Sequence, residues 1–362
     1  MDITGVITGI KYQIHFAEEL QRVEEMKFDI NTVPASCLLD NGKYVVAVSK
    51  WVSPKRTRSY PYERVYNTLS FSKKVTVIPV VKDEGAAGDR DFIQWDTVSL
   101  MSLLNMFVIF AYYIRAERKG NKITNQQFDE RYVAAKIKEI EQYHSSALHW
   151  NLKELKENLS DILEKVKTAY TKIEKATGVK LHNFDGLEKF QSKVSKDISL
   201  FMAFSRQKAE KAQVREFRTV QPKEHVATFT KAKMTITNYL GGQYFLTVDE
   251  VRLAETLLLI ESKHSATALF PSKSDIKDGL LKMILYCNLS DTKVNGKSVR
   301  CKPILNLTSK KLKGKISSKS SAKEVEMFLT RNRFNQKQRY LIATLFSEAR
   351  SNNFTVFIQQ AR

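Results

Sequence analysis

The chain has 362 residues, 43% hydrophobic and 27% charged, with 59 Lys and Arg against 39 Asp and Glu for a formal charge of +20. That length and apolar content exclude a disordered chain and point to two or three domains with buried cores. Cys37, Cys287 and Cys301 lie far apart with no CxxC pair, which excludes a disulfide framework and a zinc knuckle, and the cationic excess is the footprint of a polyanion partner, nucleic acid first.

In chain order, the opening "MDITGVITGIKYQIHF" has no basic segment ahead of a long apolar core, so it does not read as a signal peptide. "KYVVAVSKWV" (Lys43–Val52) and "KVTVIPVV" (Lys74–Val81) are rich in β-branched residues and predict strands. Between them, "SPKRTRSYPYERVY" interleaves Lys55, Arg56, Arg58 and Arg64 with Tyr60, Tyr62 and Tyr66, and Pro54 and Pro61 argue against regular structure. Arginine forks grip phosphates and guanine edges while tyrosines stack, so this loop is a candidate DNA contact. "LMSLLNMFVIFAYYI" (Leu100–Ile114) is too short to cross a membrane and reads as a buried helix turning into a buried strand.

No proline occurs between Pro79 and Pro222, and from Gln126 to Arg218 apolar residues recur at helical spacing, as at Ile162, Val166, Tyr170 and Ile173. A third section follows, with strands predicted at "YFLTVDEV", "TLLLIESK", "KPILNLTS" and "FTVFIQ" and a helix at "SKSDIKDGLLKMILYCNL", where Ser272 and Asp275 have capping-box spacing. "SKKLKGKISSKSSAKE" reads as a lysine- and serine-rich loop. The resulting expectation is an α/β (mixed α+β) protein. Its N-terminal α/β section spans residues 1–125, a helical section 126–220, and a C-terminal section of mixed sheet flanked by helices 221–362.

An acid two residues before a lysine occurs at Glu25, Glu117, Glu154, Glu261, Asp275 and Asp291. In a helix the two side chains diverge by about 200°; in a strand they share a face. Only Glu261 directly follows a long apolar strand, in "LLLIESKHS", which sets Glu261 and Lys263 side by side. A hairpin through Arg252–Glu255 brings Asp249 back toward the same strand end. Two carboxylates can hold Mg²⁺, and a lysine can orient or deprotonate the attacking water and offset transition-state charge.

"TVDEVRLAETLLLIESKHS" followed by "PSKSDIKDGLLKMILYCNL" resembles the core of the PD-(D/E)XK nucleases, type II restriction endonucleases in particular. The resemblance covers about a quarter of the chain. It implies a restriction-endonuclease-like core with Asp249 as first acid, Glu261 as second and Lys263 as the lysine, acting on double-stranded DNA with Mg²⁺. Thr247 and Val248 stand where the family has proline, so Glu250 or Glu255 remain alternatives to Asp249. A second acidic cluster, Asp83, Glu84, Asp89, Asp91 and Asp96, with Glu117-Arg118-Lys119 beyond it, is a rival site. His149 has no partner at metal-ligand spacing and reads as structural, and "LGGQ" lacks the lysine of a phosphate loop.

The expectation is a cytoplasmic, Mg²⁺-dependent endonuclease of a restriction system. It would act as a homodimer because one active site per chain must cut two strands, with a DNA methyltransferase as companion. The competing expectations are a non-catalytic basic nucleic-acid-binding protein and a nuclease acting on RNA.

Overall fold

The computed structural model describes residues 1–50, 62–194, 199–203, 206, 230–238 and 243–361. The chain forms two units: an inner unit, Glu19–Lys208, and a terminal unit that joins Met1–Glu18 to Ala209–Arg362. Both mix helices with sheets, so the fold is α+β.

Strand β1 (Asp2–Ile7) belongs to the terminal unit. The inner unit begins with β2 (Arg22–Glu24), β3 (Ser36–Asp40), β4 (Val45–Lys50), α1 (Tyr62–Thr68) and β5 (Lys74–Pro79). Next come β6 (Val81–Asp83), β7 (Arg90–Phe92), α2 (Trp95–Leu103), β8 (Phe107–Ala111), β9 (Tyr113–Lys119) and β10 (Lys122–Phe128). Its helices are α3 (Glu130–Glu141), α4 (Ala147–Glu157), α5 (Leu159–Thr177) and α6 (Asp185–Val194).

The main sheet of this unit has the order β2-β3-β4-β5-β8, with β3 antiparallel to β4 and the remaining pairs parallel. Every residue of β5 and β8 is buried, as continuous apolar runs in a parallel sheet demand. Against it lie α3, through Val133, Ile137 and Ile140, and α4, whose Trp150 donates its indole N–H to the Val108 carbonyl at 3.0 Å.

In the terminal unit, β11 (Thr230–Asn238), β12 (Gln243–Leu253), β13 (Leu257–Ser265), α7 (Lys273–Cys287), β14 (Ser290–Val294) and β15 (Lys297–Ser298) come first. Then follow β16 (Cys301–Ser309), β17 (Lys315–Ser317), α8 (Ala322–Arg331), α9 (Gln336–Ser351) and β18 (Thr355–Gln360). The sheet order is β15-β14-β1-β11-β12-β13-β16-β18-β17. The strands β11, β12 and β13 form an antiparallel meander; α7 then returns the chain so that β16 runs parallel to β13 and β18 parallel to β16.

The Ser272 hydroxyl caps α7 by accepting the Asp275 N–H at 3.1 Å. Gly279 lets this helix close on the sheet. A Cβ there would stand 2.7 Å from Leu305 Cδ1 and 3.3 Å from Lys263 Cε.

Three local expectations are corrected. Tyr62–Thr68 is helical, so Arg64 lies in α1 rather than in an irregular loop; proline is tolerated ahead of a helix, where the first N–H groups have no intrahelical partner. The helical section starts at Glu130, because Lys122–Phe128 pairs with β9 as an antiparallel ribbon. The lysine-rich stretch after Ser309 is structured: Leu312 and Ile316 are buried, β17 pairs with β18, and Ser321 with Glu324 forms the capping box of α8.

Candidate active site

The site is built by the β12–β13 hairpin and the helix behind it. The β12–β13 ladder runs from Leu253–Leu257 to Glu250–Ile260, and Asp249 and Glu261 are the next residues beyond its end on the two strands. Side chains facing each other across an antiparallel pair share a face. Asp249 Oδ2 accepts the Ser262 N–H at 3.0 Å, which fixes the first carboxylate against the strand that carries the second. Two residues on from Glu261, Lys263 points the same way, and its Nζ lies 3.0 Å from Glu261 Oε1.

Two groups absent from the sequence expectation complete the cluster, both from α7. The Lys282 ammonium donates to Glu261 Oε2 at 2.8 Å, and Asp278 Oδ2 accepts from Lys263 at 2.5 Å. Asp278 and Lys282 are four apart and therefore on one helix face. An acid–lysine pair at that spacing, inside a helix otherwise burying Ile276, Leu280 and Ile284, is the signal that would have found them.

Glu261 is 1% exposed. Burial pushes its carboxyl above the usual carboxylate range and Asp249 adds to that, while Lys282 and Lys263 pull it back. Burial opposes the charge of Lys263 too, but Glu261 and Asp278 outweigh it and hold its pKa above that of an ordinary lysine. Burial opposes the charge of the part-buried Lys282 in the same way, and Glu261 outweighs it and raises its pKa well above that of an ordinary lysine. Both lysines therefore stay cationic at neutral pH, and one buried carboxylate carries an ammonium on each oxygen.

The alternatives to Asp249 are placed elsewhere. Glu250 lies on the other face of β12 and pairs with Arg252 Nε at 2.5 Å; Glu255 is exposed at the hairpin turn. In the rival cluster Asp83 and Glu84 have separate partners, and so does Glu117 beyond it. Asp83 Oδ1 accepts from Gly85 N at 2.8 Å and meets His182 Nδ1 at 2.9 Å, Glu84 pairs with Lys82 at 2.8 Å, and Glu117 accepts from Asn125 at 2.7 Å. Glu117 and Lys119 are on the exposed end of β9 rather than in a loop.

A parallel in connectivity sharpens the contrast. In the inner unit, too, an antiparallel hairpin (β3–β4) leads through a helix (α1) to a parallel strand (β5). Cys37 there faces Val48, with Lys50 two residues on. The lysine has a counterpart and the two acids do not; Lys50 Nζ instead donates to the Ile30 carbonyl at 2.5 Å.

Of the candidate DNA-contacting residues, Lys55, Arg56 and Arg58 lie outside the described residues. Arg64 is half-buried on α1, where its guanidinium approaches the Lys50 carbonyl at 3.5 Å. His149 contacts the Tyr143 hydroxyl, in keeping with a structural role.

Asp249 and Glu261 present the hard oxygen donors that Mg²⁺ takes, and Mg²⁺ accepts one or two carboxylates together with water and substrate phosphate. Among the described residues no group of three or more His, Cys, Asp or Glu side chains is placed to hold a metal ion. Both Glu261 oxygens carry an ammonium and Asp249 Oδ2 accepts the Ser262 N–H, so a cation held by these two carboxylates would have to displace Lys263 or Lys282. No helix among the described residues is long and apolar enough to cross a membrane. No protein-family model, curated protein or solved structure matches the chain.

Proposed function

We propose that the protein is a Mg²⁺-dependent endonuclease that hydrolyses double-stranded DNA, with a PD-(D/E)XK-like site on the terminal unit. One observation carries this reading: Asp249 tied to the strand of Glu261 through the Ser262 N–H at 3.0 Å, with the Lys263 ammonium 3.0 Å from the Glu261 carboxylate, all on one hairpin. The meander, the following helix and the strand parallel to β13 are the surroundings that the resemblance implies for such a triad.

Asp249 and Glu261 would hold the metal, which supplies a polarised phosphate and a more acidic bound water. Lys263, cationic and held by Asp278, orients the water or a phosphate oxygen and offsets charge as the phosphorane-like state forms. Lys282 pairs with Glu261 at 2.8 Å, so the buried carboxylate is compensated by this chain's own charge. A cytoplasmic restriction enzyme working as a homodimer beside a DNA methyltransferase extends the same proposal; the free, part-buried cysteines suit a reducing compartment.

The second reading, a non-catalytic basic nucleic-acid-binding protein, draws on the two lysines that already saturate Glu261. The readings separate in one experiment on supercoiled plasmid. Cleavage with Mg²⁺, none with EDTA, and loss of cleavage but not of DNA binding in Glu261→Ala support the nuclease. Full cleavage by that variant removes the site assignment, and binding without any cleavage by the wild type supports the second reading.

A further inference from the structure

Ser309 closes β16 at the same end of the parallel strands as Lys263, since Lys263 pairs with Leu307 and Ser265 with Ser309. The chain then presents Lys310, Lys311 and Lys313, all exposed. Its backbone is pinned. Lys311 N donates to Ser309 Oγ at 3.1 Å, Gly314 O accepts from Gln360 N at 3.0 Å, and Leu312 is buried. Asn332 exchanges two hydrogen bonds with the Lys313 backbone, at 2.7 and 3.1 Å, and so brings the exposed Arg331 and Arg333 to the same place.

Those five cations form no ion pair with a described residue. From Ser309 to Arg333 the only acids are Glu324 and Glu326. Glu324 closes the capping box of α8, and Glu326 is paired with Arg339 at 2.7 Å. Lys315 is not part of the group, because its ammonium lies over the Phe357 ring at 4.1 Å. What remains is a cationic rim on a pinned backbone, without an acidic partner among the described residues.

Lys310 is one strand across and three residues along from Lys263. At ~4.8 Å per strand and ~3.3 Å per residue, the two Cα atoms are about 11 Å apart. Phosphates of one strand recur every ~3.4 Å along a duplex axis, so this rim lies about three base steps from the Glu261–Lys263 centre.

We propose that Lys310, Lys311, Lys313, Arg331 and Arg333 form a phosphate-gripping surface for duplex DNA that registers the backbone across the Glu261–Lys263 site. The proposal rests on the nuclease reading for its substrate, but its own evidence is the geometry and charge of the rim. A pinned backbone loses little entropy on binding, and each phosphate neutralised releases counterions.

The test is binding of a fluorescein-labelled duplex to the full chain in EDTA, at several salt concentrations, so that cleavage does not intrude. A Lys310→Gln/Lys311→Gln/Lys313→Gln variant should bind at least about tenfold more weakly at low salt, with a log–log salt slope shallower by roughly 2–3. Arg331→Gln/Arg333→Gln should act in the same direction. Lys319→Gln/Lys323→Gln/Arg350→Gln, whose positions are at the opposite end of β18, should match the wild type.

An unchanged slope in the folded triple-lysine variant, or an equal loss in the control variant, would overturn the proposal. So would rim-dependent binding to anionic vesicles, or to duplex RNA, that is tighter than to DNA. A wild type that binds with this slope but never cuts removes the nuclease reading and leaves the rim. A wild type that cuts while the triple variant keeps its slope does the reverse.

Discussion

Burial and Asp249 favour the proton on Glu261, Lys282 and Lys263 oppose them, and each neighbour can be removed singly. Lys282 is the largest influence lowering the Glu261 pKa against burial. Replacing Lys282 by Met removes that influence, so Glu261 keeps its proton to higher pH. Metal binding requires the ionised carboxylate, so the acid limb of the rate–pH profile should move to higher pH. An unmoved limb would separate Lys282 from the site. At this scale the juxtaposition of Glu261 and Lys263 was legible, because alternation in a strand places the two together without knowledge of the rest. Lys282 and Asp278 were legible only as an acid–lysine pair four apart in α7; which face of that helix meets β13 is decided by packing.

Glu348 shows how an element is held in place. This buried carboxylate on α9 accepts from the Tyr12 hydroxyl at 2.9 Å, His15 N at 2.9 Å and Phe16 N at 2.7 Å. Glu348→Ala strands those donors and should cost the terminal unit ~2–4 kcal/mol, read by urea denaturation; a change within experimental scatter would mean the segment is held by other contacts. Glu18, nearby in sequence, ties to α7 through Lys273 at 2.8 Å and through the buried Lys277. Burial works to raise Glu18, yet the two ammonium groups outweigh it and hold its pKa below the ordinary 4.5. A lowered folded-state pKa adds stability above the unfolded value, and this is lost as pH falls through the folded one. Glu18→Gln should therefore flatten the fall in melting temperature as pH is lowered through and below the ordinary 4.5, and parallel curves for wild type and variant would contradict this pairing.

The same scale separates what periodicity reveals from what it hides. The apolar runs of β5, β8 and β13 and the capped start of α7 follow directly from local pattern. Strand β17 does not, because its three residues offer one buried side chain, Ile316, among exposed or half-buried neighbours. Its pairing with β18 is settled by the partner strand rather than by its own composition.

At the level of the whole molecule, the chain leaves the terminal unit after Glu18 and returns to it by Thr230, with the inner unit between. Strand β1 pairs in parallel with β11, Asp2 opposite Lys233 through Ile7 opposite Asn238. A partnership across more than two hundred residues leaves no mark in either segment, which is why the first eighteen residues read as part of the N-terminal section. The excess of cations was legible from composition alone; which of them are left without acids became visible only once the ion pairs were placed.

The central claim is that the chemistry resides at Glu261 and Lys263 and not at the inner unit's Glu117 and Lys119. Single-turnover cleavage of plasmid DNA with Mg²⁺, compared among wild type, Lys263→Ala and Lys119→Ala, tests it most directly. Loss of a preorganised charge of this kind should slow Lys263→Ala by about 10²–10³-fold, with Lys119→Ala close to wild type. The reverse ranking, or two variants that both cut at the wild-type rate, would contradict it.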